Sequence, residues 1–523
     1  MSEIKDRYDV VIVGAGHNGL IAAKYLLDAG KSVAVFEKNP MVGGMSSTYE
    51  FMPGYKCSTG AMYFGHMAPE IRETMELYER EYEYVQYDPW LWSPSTKEGE
   101  YFAEFYPDTE RTAQFLEKMY DKAEGDAYRK WGQLWGGLAD AFIPLQMNPP
   151  ISLGNMLSMF DDPESALMVR QMMFSSLEDL LLDCGFDLDK GAAGYFGHMC
   201  NDAGFAGPKS PLSAFGCGMH YIVPNAYECP KGGMLTIMNI FKDVVEENGG
   251  EVFLNTPVER FIFEDGAVKG VIVNGSEVRA GNVLSTLDIK STLYRMVGKE
   301  NLDEVTIKLV EAVKSEVCTA QICFALKALP EYTCLPDGEQ GGWQHQACTV
   351  IGPNIPYAED IYDQWKRGII PEKVSLVMVN ESLYDPSMAP EGKYSVKCHV
   401  CSVPFELAGG RSWDDKDVQD EFFNKVVGTI EEYAPNFREI IEDYYVFTPY
   451  GLKEMFGTFD WGHADPRLDQ MFSWRPMPGW SNYKTPIEGL YIGGAGCHGG
   501  PGVSGFAGRN SALMLIENTK DEA

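Results

Sequence analysis

Gly14, Gly16 and Gly19 stand in the spacing Gly-x-Gly-x-x-Gly, with Ala15 and Asn18 between them, and an acid, Glu37, follows with Lys38 behind it. Glycines so spaced suit one kind of chemistry. Gly14 permits a tight turn, Gly16 lets a pyrophosphate approach bare backbone, and Gly19 lets a helix pack close to a strand. A carboxylate at the place of Glu37 accepts hydrogen bonds from an adenosine ribose. The set predicts a dinucleotide site, for either FAD or NAD. Gly43-Gly44-Met45-Ser46 comes next, and a glycine pair there lets a second loop run along an extended ligand.

The elements that must hold these residues are legible around them. Tyr8 to Val13 is an apolar, β-branched run that reads as a buried parallel strand. From Leu20 to Leu27 the apolar spacing becomes helical, and Gly30 stops the helix. Ser32 to Phe36 is a second buried strand that delivers Glu37.

With 523 residues, 45% hydrophobic and 12% aromatic, the chain predicts an ordered protein of two or three domains. Its 43 basic and 76 acidic residues leave a net charge of −33, which argues against a nucleic-acid partner. The 12 cysteines are scattered; Cys398 and Cys401 share a predicted strand on opposite faces, which suits neither a disulfide nor a metal. We therefore expect free thiols, no metal and a cytoplasmic location. The charged start MSEIKDRYD predicts no signal peptide, and no run approaches ~18 apolar residues.

Further along, Gly60 permits close backbone approach, with Tyr63 beside it and Ser58 two residues before it. Residues 70–82 predict a helix, 82–106 a hairpin, and 109–200 a mostly helical stretch rich in Met and Trp, a pocket surface or simply core. Tyr195, His198 and His220 are candidate pocket residues. Leu235 to Glu247 is an amphipathic helix followed by strands near Val252–Leu254, Thr256–Phe261 and Val268–Val273. Strands at Cys318–Lys327, Val374–Asn380, Tyr394–Val403 and Ile441–Phe447 suggest an antiparallel floor, with Trp343, Trp461, Trp474 and Trp480 as candidate lining. Near the C-terminus a strand enters the glycine loop 493–505 and a helix leaves it, its positive end suited to a reduced flavin.

The order glycine motif, acid, Gly-Gly-x-Ser resembles the glutathione-reductase-type FAD fold. Blocks 7–65, 229–292 and 488–517 together resemble the phytoene desaturase-like FAD-dependent oxidoreductases of the amine oxidase superfamily. The resemblance implies an α/β fold: a discontinuous Rossmann-like FAD-binding domain from 1–75, 225–290 and 481–523. The remaining 76–224 and 291–480 would form a mixed α+β substrate domain with an antiparallel sheet and a helical cap. It implies FAD held by Gly14, Ala15, Gly16, Asn18, Gly19, Glu37, Lys38, Gly43, Gly44, Met45, Ser46, the Val258 backbone at the adenine, Gly494, Gly502 and Val503. Relatives place a His near His498, usually before Pro-Gly, where this chain has Gly499. His498 and Tyr63 are the catalytic candidates; loop bracing and wall packing are the competing roles. Relatives often carry an acid where this chain has Ser58.

The implied reaction moves a hydride to flavin N5 and a proton away, across a C–C bond of an apolar or alicyclic substrate, carotenoid- or retinoid-like or a cyclic ketone or acid. A flavin amine oxidase, or a non-redox isomerase or binding protein, stands as the alternative. With no second fingerprint between 76 and 480, the electron acceptor is oxygen, a quinone or a protein carrier. A peripheral membrane contact through 142–160 and a soluble substrate stay open together, as does the oligomeric state.

Overall fold

The computed structural model describes residues 3–218, 227–335, 342–460 and 462–520. His220 and Trp461 lie outside them. Two seven-stranded sheets organise the chain. In the first, Arg7–Val13 lies between Val33–Phe36 and Ser276–Ser285, parallel to both. Glu251–Phe253 extends one side and Leu490–Ile492 the other, again in parallel. The antiparallel hairpin Val258–Glu264 with Ala267–Val273 completes the sheet. Five parallel strands with apolar residues on both faces need helices on both faces. The helices His17–Asp28, Leu235–Glu247 and Phe506–Asn518 pack together on this sheet. The first and last cross closely where Gly508 meets Asn18: a Cβ on Gly508 would lie 2.2 Å from the Asn18 carbonyl oxygen.

The second sheet runs Ile441–Phe447, Val317–Leu326, Tyr394–Pro404, Leu376–Val379, Cys348–Ile351, Leu91–Pro94, Tyr101–Glu104. It is antiparallel except where Cys348–Ile351 meets Leu91–Pro94. One face covers the core that holds Trp413, Phe324 and Phe422. Helices from Thr109–Met119 to Gly191–Asp202 form a cap whose core contains Trp131, Trp135 and Met172. That Met- and Trp-rich segment is core for these residues, while Met159 is exposed. No helix among the described residues is long and apolar enough to cross a membrane.

Three local expectations change. The helix predicted over 70–82 stops at Pro69–Thr74, because Glu76 turns the chain with φ 53° and Leu77 N–H donates back to the Arg72 carbonyl. The predicted hairpin 82–106 narrows to Leu91–Pro94 with Tyr101–Glu104, while Tyr84–Val85 pairs with Cys229–Pro230. Of the tryptophans expected on the floor, Trp480 is core, Trp474 is exposed, and Trp343 packs edge-on to Trp92.

Candidate functional site

The first strand ends at Gly14 with φ 101°, a conformation that costs an L side chain. Gly19 sits above it, where a Cβ would meet the Gly14 carbonyl oxygen at 2.1 Å, so that glycine serves packing. The helix begins after Gly16 with no side-chain cap, leaving its N-terminal end to a ligand or water. Glu37 reaches back across the strand ends. Its carboxylate accepts from Ala15 N–H at 2.9 Å and Asn39 N–H at 2.9 Å, which fixes its direction at the cleft edge. Gly43 pairs with Gly16, its N–H donating to the Ala15 carbonyl at 2.8 Å, so the two glycine loops are zipped side by side.

Together they line a cleft that includes Gly14, Gly16, Asn18, Glu37, Gly43, Gly44 and Met45. The opposite wall comes from residues 286–288 and 456–458, with Gly462, His463, Ala495 and Gly496. Several of these glycines are explained by the chain itself: a Cβ on Gly43 would meet Met238 and Ser46 at 2.9 Å, and one on Gly494 would meet the Thr286 carbonyl at 2.3 Å. Gly16 and Gly496 are different. A Cβ on Gly16 would find nothing nearer than 3.9 Å, and one on Gly496 nothing within 4 Å. Neither has a positive φ, so bare backbone there is explained by an occupant of the cleft. His17 adds a buried Nε2 with no partner while its ring bonds the Gly502 backbone, and burial pulls it down to about 4, keeping it neutral. Bare backbone, a helix N-terminus, an oriented carboxylate and an orphaned ring nitrogen fit a dinucleotide.

The other expected cofactor residues stand around this wall. Ala15 and Ser46 lie beneath it, the latter donating its N–H to the Gly43 carbonyl. Lys38 turns away and donates to the Glu454 carbonyl at 2.9 Å. Val258 pairs with Val273 two residues beyond Thr256, whose N–H bonds the Glu37 carbonyl. Gly502 meets His17, and Val503 is core under the first helix. Residues 286–288, 456–458 and 462–463 had no motif to announce them; they arrive from separate parts of the chain.

His498 does not line the cleft. It is buried, and Nε2 donates to the Leu145 carbonyl at 3.0 Å, tying the C-terminal loop to the cap; burial pulls it down to about 4. The geometry is that of a brace. The buried Arg475 braces the same loop, donating to the Ala495 and Cys497 carbonyls. Ser58 acquires its acid from elsewhere: Glu381 accepts from Ser58 N–H at 3.0 Å and Ser58 Oγ at 2.6 Å. Burial raises that carboxyl.

Tyr63 faces a second, narrow pocket with Trp90, Tyr195, His198, Met199 and Asp202. Tyr63 stands edge-on to Trp90 and Tyr227, with ring centroids 4.7 Å apart in both cases. Burial raises its phenol well above the usual range. The inward face of Tyr394–Pro404 supplies Lys397, His399 and Cys401, at alternate positions as a strand requires. Lys397 is buried and donates to the Gly60 carbonyl at 3.1 Å, next to Ala61, whose N–H bonds the Met45 carbonyl at the cleft. His399 Nε2 lies 3.0 Å from Asp202 Oδ1, and Gln321 Nε2 3.4 Å from His399 Nδ1. His198 Nδ1 is 2.8 Å from Ser375 Oγ. Burial alone would raise the Asp202 carboxyl; the pull and hydrogen bond of His399, with His198 adding to it, hold it below the carboxylate range instead. Burial pulls His198 down to about 4. His198, Asp202 and Cys401 also bring ligand-type atoms within 4.8 Å of one another, a grouping that no spacing in the sequence announces.

A family model described as flavin containing amine oxidoreductase matches residues 19–304. The chain is 26% identical to pyridine nucleotide-disulfide oxidoreductase domain-containing protein 2 of Rattus norvegicus, over 99% of this chain and 95% of that one. It is 23% identical to a limonene dehydrogenase polypeptide of Castellaniella defragrans, over 99% and 96%. With 4,4'-diapophytoene desaturase of a Methylomonas species it shares 24%, over 94% and 92%. An oxidoreductase of Methanosarcina mazei has the same fold, with a TM-score of 0.60 at 18% identity over 97% and 99%, and so has a putrescine oxidase triple mutant, with 0.60 at 14% over 99% of both.

Proposed function

The chain belongs to the flavin containing amine oxidoreductases, and from that premise we propose that it is an FAD-dependent dehydrogenase that removes two hydrogens across a C–C bond of an apolar or alicyclic molecule. The observation that carries the reading is the junction of two sites: the bare-backbone cleft at Gly16 and Gly496, and beside it an aromatic pocket walled by Tyr63, Trp90 and Tyr195. FAD supplies hydride acceptance when bound. Gly16, Gly44 and Gly496 admit it, Glu37 orients its ribose, and His17 offers its unpaired nitrogen. The aromatic walls exclude water and hold a flat apolar body, which favours transfer from carbon. Electrons then leave to oxygen, a quinone or a protein carrier. The full-length relatives named for limonene and diapophytoene support C–H dehydrogenation over amine oxidation.

Anaerobic mixing of the purified protein with alicyclic and polyene compounds tests this. The expected result is bleaching of the flavin absorbance and a product two hydrogens lighter. Bleaching by amines alone, with no effect of any such compound, would overturn it.

A further inference from the structure

The second pocket is built from mismatched materials. Its walls are aromatic, yet Asp202 lines it beside His198 and keeps a fifth of its side chain, 20%, open. Asp202 stands at the end of the helix Gly191–Asp202, and its Oδ1 is taken by His399. A carboxylate facing an aromatic pocket is costly unless a donor meets it. A pure hydrocarbon would strip water from Asp202 and return nothing.

The charge is already balanced within the chain. Lys397 is buried on the same strand face as His399, and the attraction between it and Asp202 opposes the loss of its proton on burial. The missing partner is therefore a neutral donor rather than a cation. The pocket is also narrow, so it takes one end of a molecule whose body lies toward Met45 and the cleft. The two cavities adjoin there: Phe205, three residues past Asp202, has its ring 6.3 Å from that of His463 in the cleft wall.

Resting on the reading above, we propose that the substrate is an oxygenated alicyclic or terpenoid molecule, and that Asp202, positioned by His399, accepts a hydrogen bond from its hydroxyl group while Tyr63, Trp90 and Tyr195 enclose the carbon skeleton. Asp202 is thus the residue that sets specificity for an alcohol over the matching hydrocarbon. The discrimination comes from leaving a buried acceptor unpaired when the wrong molecule binds.

The test is binding, read without turnover. Calorimetry on the oxidised, FAD-loaded protein would compare a monocyclic terpene hydrocarbon with the primary alcohol and the primary amine on the same skeleton. The alcohol is expected to bind about tenfold or more tighter than the hydrocarbon. Asp202→Leu should bring the two within about twofold, with FAD absorbance unchanged; Asp202→Asn, which keeps an oxygen acceptor, should retain part of the preference and serves if the leucine variant does not fold. Equal affinities in the wild type, a preference that survives Asp202→Leu, tighter binding of the amine, or binding of none of the three would overturn the inference. Flavin bleaching by the hydrocarbon together with equal affinities would leave the dehydrogenase reading standing and remove only the alcohol preference.

Discussion

The cleft and the pocket beside it are built in opposite ways. The cleft is made of backbone: Gly16 and Gly496 contribute the absence of a side chain, and only Glu37 and His17 add polar groups. The pocket is made of side chains, with His198 and Asp202 from a helix and Lys397, His399 and Cys401 from a strand far along the chain. Backbone can be read by any ligand with phosphates and flat rings. Converging side chains select. The contrast teaches why one fold carries a constant cofactor and varied substrates.

Acid is the harshest way to press on this contrast, because buried histidines serve both regions. His17 and His463 at the cleft, His198 in the pocket and His498 in the brace are all pulled to about 4 by burial. In the unfolded chain they titrate near 6.5. Between those values the unfolded state binds more protons, so their contribution is fully present above about 6.5 and is lost as pH falls toward 4. Asp465, pushed up to about 7, works in the opposite sense but is one group against several. Thermal unfolding should drop by roughly 5 °C or more from pH 7 to pH 5, followed by differential scanning calorimetry. A flat profile would mean that these rings are hydrated.

A smaller effect separates bracing from catalysis. His498→Ala removes the bond to the Leu145 carbonyl and should destabilise the protein by about 1–3 kcal/mol, with flavin reduction by substrate unchanged in rate. A stable variant that has lost reduction would return His498 to the chemistry.

The cleft was largely legible in the sequence because its chemistry lies in local glycine spacing, and the same holds for the strand that delivers Glu37 and for the helix Leu235–Glu247. What lay hidden required partners distant in the chain. Glu381 replaces the acid missing at Ser58 from more than three hundred residues away, and no local pattern marks it. His198 stood out only as one pocket candidate among several, and Asp202 not at all, since a lone acid at a helix end looks like a cap. Its meaning comes from His399 across the sheet. The short helix at Pro69–Thr74 was overestimated because the left-handed turn at Glu76 is set by packing rather than by a glycine.

The central claim is that cofactor and substrate sites are separable, and one crossed measurement tests it: FAD content and alcohol affinity on Gly16→Val and Asp202→Leu. Valine at 16 meets no protein atom within 3.9 Å at its Cβ, so the chain should fold and yet release less than a tenth of the wild-type FAD on denaturation. Asp202→Leu should keep about one FAD per chain and lose roughly tenfold in alcohol affinity. FAD retained by Gly16→Val, or FAD lost from a folded Asp202→Leu, would contradict the account.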